Sequence, residues 1–404
     1  MKYFGRARST FRRALERSDT SVLLNLHLLR AIAALAVVYF HATSEAGLNL
    51  PINVGGHGVD VFFVISGFII AYIGARTPER FFVRRLIRIV PFYWAATLAV
   101  FGAAALAPHL LRSTRADAVQ LLCSLFFIPR ETAYAGTVPT LVLGWSLNYE
   151  MYFYVVFALA LAVAPRRAPI VCSLAIAAVA VAIGASGISH PSVRFYARPL
   201  VFEFTFGVCV YYLFAAAEHH LEWLAARPSL RWGLWCVALG AVAAIGLEEY
   251  HATFGLPRFL VAGVPALLLV LSALLLERAY GVSASSPAVF LVGESSYILY
   301  LIHPYVIYGL LRTTGAHRAP LAWPVTIALV LGLMAASTVT AIAIHVWFER
   351  PIIAALRRRL LTSGTARPSQ SRPVARRGRP DDSDRRRPPI RRPQTAALQG
   401  GQRS

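Results

Sequence analysis

Arg30 and His41 are the first pair of residues in this chain whose types and spacing could act on one substrate. Both lie in the stretch Leu28-Leu29-Arg30-Ala31-Ile32-Ala33-Ala34-Leu35-Ala36-Val37-Val38-Tyr39-Phe40-His41. An ionisable residue inside so apolar a run is costly to keep and marks a functional position. Eleven positions separate the two, about 1100° of helix at about 100° per residue. That is about 20° past whole turns, so both project from one face, roughly 16 Å apart along the axis. A guanidinium is a strong partner for an anionic group such as phosphate. An imidazole is the side chain best suited to move a proton near neutral pH. The spacing therefore predicts a long substrate lying along the helix, held by Arg30 at one end and presented to His41 at the other.

Four further blocks carry candidate chemistry. In Gly58-Val59-Asp60-Val61-Phe62-Phe63-Val64-Ile65-Ser66-Gly67-Phe68, Asp60 opens an apolar run, where a carboxylate complements the positive helix end. Ser66 and Gly67 are small enough for close helix contact. Arg84, Arg85 and Arg88 form a basic face at i, i+3/i+4 spacing, suited either to anchoring a span or to recognising phosphate. In Trp145-Ser146-Leu147-Asn148-Tyr149-Glu150, the Glu150 carboxylate lies inside an apolar run and needs a partner. His41 or an arginine is the natural one, and Ser146 and Tyr149 flank it as further candidates. His303, before Pro304, falls within another span at an expected kink.

These residues must be held by membrane-spanning helices. Of the 404 residues 57% are hydrophobic and 15% charged, with a mean hydropathy of +0.57, too few charges to cover a water-facing surface. A span needs about 20 largely apolar residues. Such runs lie near 26–44, 57–75, 88–107, 141–164, 168–187, 197–216, 232–248, 258–277, 289–311 and 323–347. The expected fold is an all-α integral membrane protein of ten transmembrane helices. One shorter stretch, Ala118 to Pro129, is too short to cross and is expected to be re-entrant or interfacial. The chain divides into a basic N-terminal arm (1–25), a transmembrane domain (26–351) and an Arg/Pro-rich tail (352–404), expected to be disordered because it lacks apolar surface to bury.

The formal net charge is +21, and the two ends (1–20 and 361–404) supply +12 of it. Lys and Arg beside spans mark the cytoplasmic side. The N-terminal arm, Arg76–Arg88, Arg166/Arg167, Arg227/Arg231 and Arg350–Arg359 therefore fall inside. The loop from Ala42 to Gly56 and the turn at Glu248, Glu249 and His251 fall outside, with both termini cytoplasmic. No aromatic residue interleaves with the arginines of the tail, which argues against nucleic acid and for attraction to anionic membrane lipids. The first apolar run has no small-residue cleavage pattern and reads as a retained span. The four cysteines are scattered, without disulfide or metal-site spacing, so no metal is expected.

Taken in order, these blocks resemble membrane-bound acyltransferase family three, the many-spanning O-acyltransferases of bacterial sugars. The resemblance runs from about Leu26 to Pro351. It rests on Leu29-Arg30-Ala31 through His41, Gly58-Val59-Asp60 through Phe68 and the Arg85/Arg88/Pro91/Tyr93 block. Trp145-Ser146-Leu147 with Glu150, Ser296-Tyr297 to His303-Pro304, and Phe348-Glu349-Arg350-Pro351 complete it. The Gly144–Tyr154 stretch is most similar to the exopolysaccharide-modifying subgroup.

The resemblance implies ten spans in a bacterial cytoplasmic membrane. It also implies acyl-coenzyme A, usually acetyl-coenzyme A, as donor and a glycan or lipid-linked sugar hydroxyl as acceptor, with partners in glycan assembly. The family's essential arginine and histidine map onto Arg30 and His41. On this reading His41 is general base or transient acyl carrier, Arg30 binds the donor, Arg85 and Arg88 guide it at the entrance, and Glu150 supports His41. No extracytoplasmic hydrolase-type domain follows Pro351. A proton-coupled transporter or flippase using the same Arg30, His41 and Glu150 is the rival of another class, and a non-catalytic assembly protein a third.

Overall fold

The computed structural model describes residues 23–45, 54–111, 114–251, 255–315 and 322–361, with side chains left out at 110 and 248–251. The chain separates into residues 1–363 and 364–404. The arm before Leu23, most of the Ala42–Gly56 loop, the side chains at the Glu248–His251 turn and the tail after Leu361 lie outside the described residues.

Ten helical segments are long and apolar enough to cross a membrane, as expected, and the only strand-like pairing among the described residues is one bridge, Thr132–Gly136. The helices are α1 (Leu24–Glu45), α2 (Gly58–Arg76), α3 (Phe81–Leu106), the short α4 (Ala118–Leu125), α5 (Trp145–Val163) and α6 (Ala168–Ala185). They continue as α7 (Phe202–Glu218), α8 (Pro228–His251), α9 (Val264–Tyr280), α10 (Pro287–Thr314), α11 (Trp323–Ile344) and α12 (Arg350–Leu361). Leu159, Leu174, Leu239 and Leu331 are 59–65% exposed, a surface that suits lipid and not water.

Two departures from the sequence-based boundaries have local causes. The third span starts at Phe81, not 88, because Arg84, Arg85 and Arg88 lie on the helix itself, beside the buried Phe81, Ile87 and Ile89. The boundary at 352 falls inside α12, an amphipathic helix that buries Ile353 and packs on α3; the Arg80 guanidinium donates to Leu360 O at 2.7 Å. Residues 352–361 are therefore helical.

The short apolar stretch forms α4. Asp117 caps it, accepting from Gln120 N at 2.9 Å; that bond, and then the Arg130 guanidinium, hold its carboxyl below the ordinary carboxylate range. Val119, Leu122 and Phe126 share an exposed apolar face at helical spacing, as an interfacial segment requires. Phe127, with φ of 59°, turns back to stack on Tyr93.

Two close contacts fix the bundle around the site. α1 is held at its start by Glu277 of α9, whose carboxylate accepts from Leu24 N and Asn25 N at 2.8 Å each. This is a charged cap on a helix N-terminus, and it sets the height of Arg30. α2 and α7 cross backbone to backbone at Gly67 and Gly207. A Cβ on Gly67 would stand 2.1 Å from Phe204 O, and one on Gly207 2.2 Å from Val64 O. A main-chain carbonyl cannot swing aside, so the helices would have to separate. Gly207→Ala is expected to lower stability by about 3 kcal/mol, measured by thermal unfolding of the protein in detergent. Unfolding at the wild-type temperature would show that the crossing is not tight.

Candidate active site

Five helices line an open cavity, whose empty space together with its mouth is about 770 Å³. Each contributes one helical stripe, so residues distant in sequence meet on its wall. α1 supplies Arg30, α2 Val59, Phe62 and Ser66, and α3 Arg85, Arg88 and Ile89. α5 supplies Ser146, Glu150 and Tyr154, and α10 Ser296, Tyr297 and Tyr300. Three guanidinium groups thus face one carboxylate across largely apolar walls. Charges in such a setting are screened far less than on a wet surface, and the excess is positive.

The Arg30 guanidinium donates to Ser296 Oγ at 3.0 Å, and Ser296 in turn donates to Gly293 O at 2.8 Å. A guanidinium has five N–H donors, so most of its capacity remains for a ligand. Toward the inner end, two further carboxylates act on Arg30 but are already engaged. Glu294 accepts from Arg350 at 2.7 Å, and Glu349 is bonded to His345 in a π-turn at His345–Glu349. The Arg85 guanidinium lies 5.4 Å from the Phe81 ring centroid and 5.8 Å from that of Tyr154, a cation–π seat that orients it without using its donors.

The structure corrects the pairing expected for Glu150. Its carboxylate accepts from Ser66 Oγ at 2.9 Å and from the Tyr154 hydroxyl, and it shares the cavity with the three arginines instead of joining His41. The reason is helical phase: Tyr154 is one turn further along the same stripe of α5, and α2 presents Ser66 across from it. Ser66, Ser296, Tyr154, Tyr297 and Tyr300 were not singled out from sequence as site residues. Only the Glu150–Tyr154 spacing of four carried a signal for one of them.

His41 lies beyond the cavity, not on its wall. Its nearest described aromatic neighbours are Phe40 and His303, the latter with ring centroids 5.1 Å apart. Tyr300 and Phe62, whose rings are 6.4 Å apart, line the cavity, and the Tyr300 ring lies 6.2 Å from that of His303. The Tyr300 hydroxyl is tied to Ser146 Oγ at 2.8 Å and donates to Leu143 O at 3.2 Å. Arg30 and His41 therefore both face α10 from one helix, Arg30 through Ser296 and His41 through His303, as the spacing predicts.

Two candidates fall elsewhere. Tyr149 stacks on Phe195 at 4.0 Å and donates to Phe195 O at 2.9 Å, which makes it a packing residue. Asp60 is fully buried and accepts both Arg258 Nε at 2.9 Å and Arg258 Nη2 at 2.6 Å, with His57 Nδ1 at 3.2 Å. This bidentate pair ties α2 to the π-turn Phe259–Gly263 that begins the eighth span. Arg258→Ala would strand a buried carboxylate and is expected to cost on the order of 2 kcal/mol, less than a fully buried pair because the arginine side chain is 44% exposed. The double variant with Asp60→Asn should recover most of it in thermal unfolding; equal losses in both would refute the pairing.

A many-spanning helical bundle, with a cationic cavity inside it and an imidazole aligned above, is the frame of a membrane-embedded transferase. The chain belongs to the acyltransferase family whose model, described as an acyltransferase domain, matches residues 23–345. It is an O-acyltransferase. It is 38% identical over 340 residues, 81% of this chain and 98% of the relative, to the exopolysaccharide production protein ExoZ of Rhizobium meliloti (strain 1021). Over 145 residues, 32% of this chain and 22% of the relative, it is 31% identical to the peptidoglycan O-acetyltransferase OatA of Listeria monocytogenes serovar 1/2a. A match of 77 residues at 38% identity, 17% of this chain and 21% of the relative, links it to nodulation protein 10 of Rhizobium leguminosarum bv. viciae. No solved structure matches the chain.

Proposed function

We propose that the protein moves an acyl group, acetyl foremost, from acyl-coenzyme A to a hydroxyl of an exported or cell-surface polysaccharide. It does so in the bacterial cytoplasmic membrane with both termini cytoplasmic. The observation that carries the reading is the cavity wall of Arg30, Arg85 and Arg88 against the single carboxylate of Glu150. Its charge suits a donor that carries phosphates at one end and a thioester arm at the other. Arg85 and Arg88, at the inner end of α3, take the phosphates. Arg30 holds the arm deeper, and the acyl end passes the Tyr300 ring to reach His41. There the acceptor hydroxyl gives its proton to the imidazole as its oxygen bonds to the acyl carbon, and coenzyme A leaves as the thiol. If His41 instead takes the acyl group first, the same products form through an acyl-imidazole that the hydroxyl then opens. The acceptor is a glycan or lipid-linked sugar, presented by the membrane or by a glycan-assembly partner. The strong resemblance in length to ExoZ supports exopolysaccharide as the acceptor class.

The test compares the cell-surface glycan with and without the gene by mass spectrometry, and supplies labelled acetyl-coenzyme A to membranes carrying the protein. A single acyl increment lost with the gene, and label entering the polysaccharide, are expected. Substrate flux without consumption of the donor would overturn the proposal in favour of a transporter, and an unchanged glycan in favour of a non-catalytic assembly protein.

A further inference from the structure

His303 is fully buried on α10, immediately before Pro304. Proline has no N–H, which leaves Tyr300 O without its helical donor, and one position back the imidazole folds onto its own helix. Its Nδ1 lies 2.9 Å from Leu299 O. A carbonyl can only accept, so Nδ1 carries the proton, and the neutral ring keeps its lone pair on Nε2. That Nε2 is buried and has no hydrogen-bond partner among the described residues. A buried acceptor left unmatched costs about 1–3 kcal/mol, so the position calls for a donor.

The neighbouring side chains limit the choice of donor. The Tyr300 ring lies 6.2 Å away, and its hydroxyl is committed to Ser146 and Leu143. The His41 ring lies 5.1 Å away, centroid to centroid. Two imidazoles joined end to end by an N–H···N bond have centroids roughly 5 Å apart, given the ordinary donor–acceptor distance. A modest turn of the His41 ring about its broad terminal torsion aligns them.

We infer that His303 is a positioning residue for His41: its Nε2 accepts the N–H of the His41 ring and so dictates which nitrogen of His41 keeps a lone pair for the reaction. The inference rests on the acyl-transfer reading above. The lone-pair nitrogen of His41 then faces the reacting groups and takes the acceptor proton or the acyl group. The imidazolium or acyl-imidazolium that forms keeps its other N–H on His303, where the developing positive charge is stabilised.

Asparagine and glutamine at 303 separate this role from a structural one. His303→Asn keeps a donor at the position of Nδ1, and with it the bond to Leu299 O, but places nothing at the position of Nε2. His303→Gln reaches the Nε2 position with an acceptor oxygen. Rates would be read as label from acetyl-coenzyme A entering the polysaccharide fraction of membranes from a strain that carries only the variant, per mole of inserted protein. For His303→Asn and His303→Ala a fall of about 10- to 100-fold at saturating donor is expected, comparable to losing the group that holds a ligand histidine's tautomer, with the donor concentration for half-rate unchanged. His303→Gln should stay within about five-fold of wild type. Rescue by asparagine and not glutamine would assign His303 to holding the α10 kink, and near wild-type rates in all three would show that it does not serve His41; either result overturns the inference. A parallel His41→Ala variant keeps the two readings apart. If it retains activity, the acyl-transfer role of His41 fails; if it is inactive while the 303 variants are unaffected, only the positioning role fails.

Discussion

His41→Ala is expected to abolish polysaccharide acylation, with a loss of about 10³-fold, the middle of the range for removing a positioned proton-transfer group. The change should leave the protein in the membrane at wild-type abundance. Alanine is a better helix former than histidine, and α1 is held at its other end by Glu277 and by Asn25, which bonds to Ala273 O and Val282 O at 2.8 Å. The rate per mole of inserted protein is the measurement, and full retained activity would refute any role for this imidazole in the transfer. The donor concentration for half-rate should barely move, because His41 is not among the residues that line the cationic cavity.

Arg30→Ala should give the complementary pattern. The guanidinium is the one cation that α1 contributes to the cavity, and a hydrogen bond to a charged group contributes about 1.5–3 kcal/mol. The half-saturating donor concentration is therefore expected to rise by up to about 10²-fold, with a smaller fall in rate at saturation. Arg30→Lys keeps the charge but not the planar fork and should recover only part of the loss. The fold should tolerate both changes, since Glu294 and Glu349 retain Arg350 and His345 as partners. Titration with acetyl-coenzyme A in isolated membranes decides it. An unaltered half-saturating concentration in Arg30→Ala would remove Arg30 from donor binding.

The spans could be located from sequence because each is a single apolar run of sufficient length, and lipid tolerates little else. The shared face of Arg30 and His41 followed from helical phase alone. Phase fixes which way a side chain points from its own helix but not which neighbour it meets. Hence the sequence offers His41 or an arginine to Glu150 and does not find Ser66 and Tyr154, which donate to it. Asp60 could be seen to start a span, but its partner Arg258 lies 198 residues away on a turn whose π geometry breaks the 3.6-residue pattern. The Glu277 cap on α1 was invisible for the same reason: contacts between distant helices depend on how they are stacked, and Gly67 and Gly207 show how little periodicity says about that. Ser66 and Gly67 looked like a packing pair, and Gly67 is one; the serine beside it, pointing a different way, joins the site.

The latched hydroxyl of Tyr300 bears on the energy stored across the membrane. A continuous polar bore from Arg30 to His41 would let ions run down the transmembrane voltage, which is worth about 2.3 kcal/mol per elementary charge per 100 mV. The Tyr300 hydroxyl on the cavity wall, latched to Ser146 and Leu143, offers only uncharged groups to such a path. On the proposed reading, an acyl group would then pass from one side to the other without opening a path for ions.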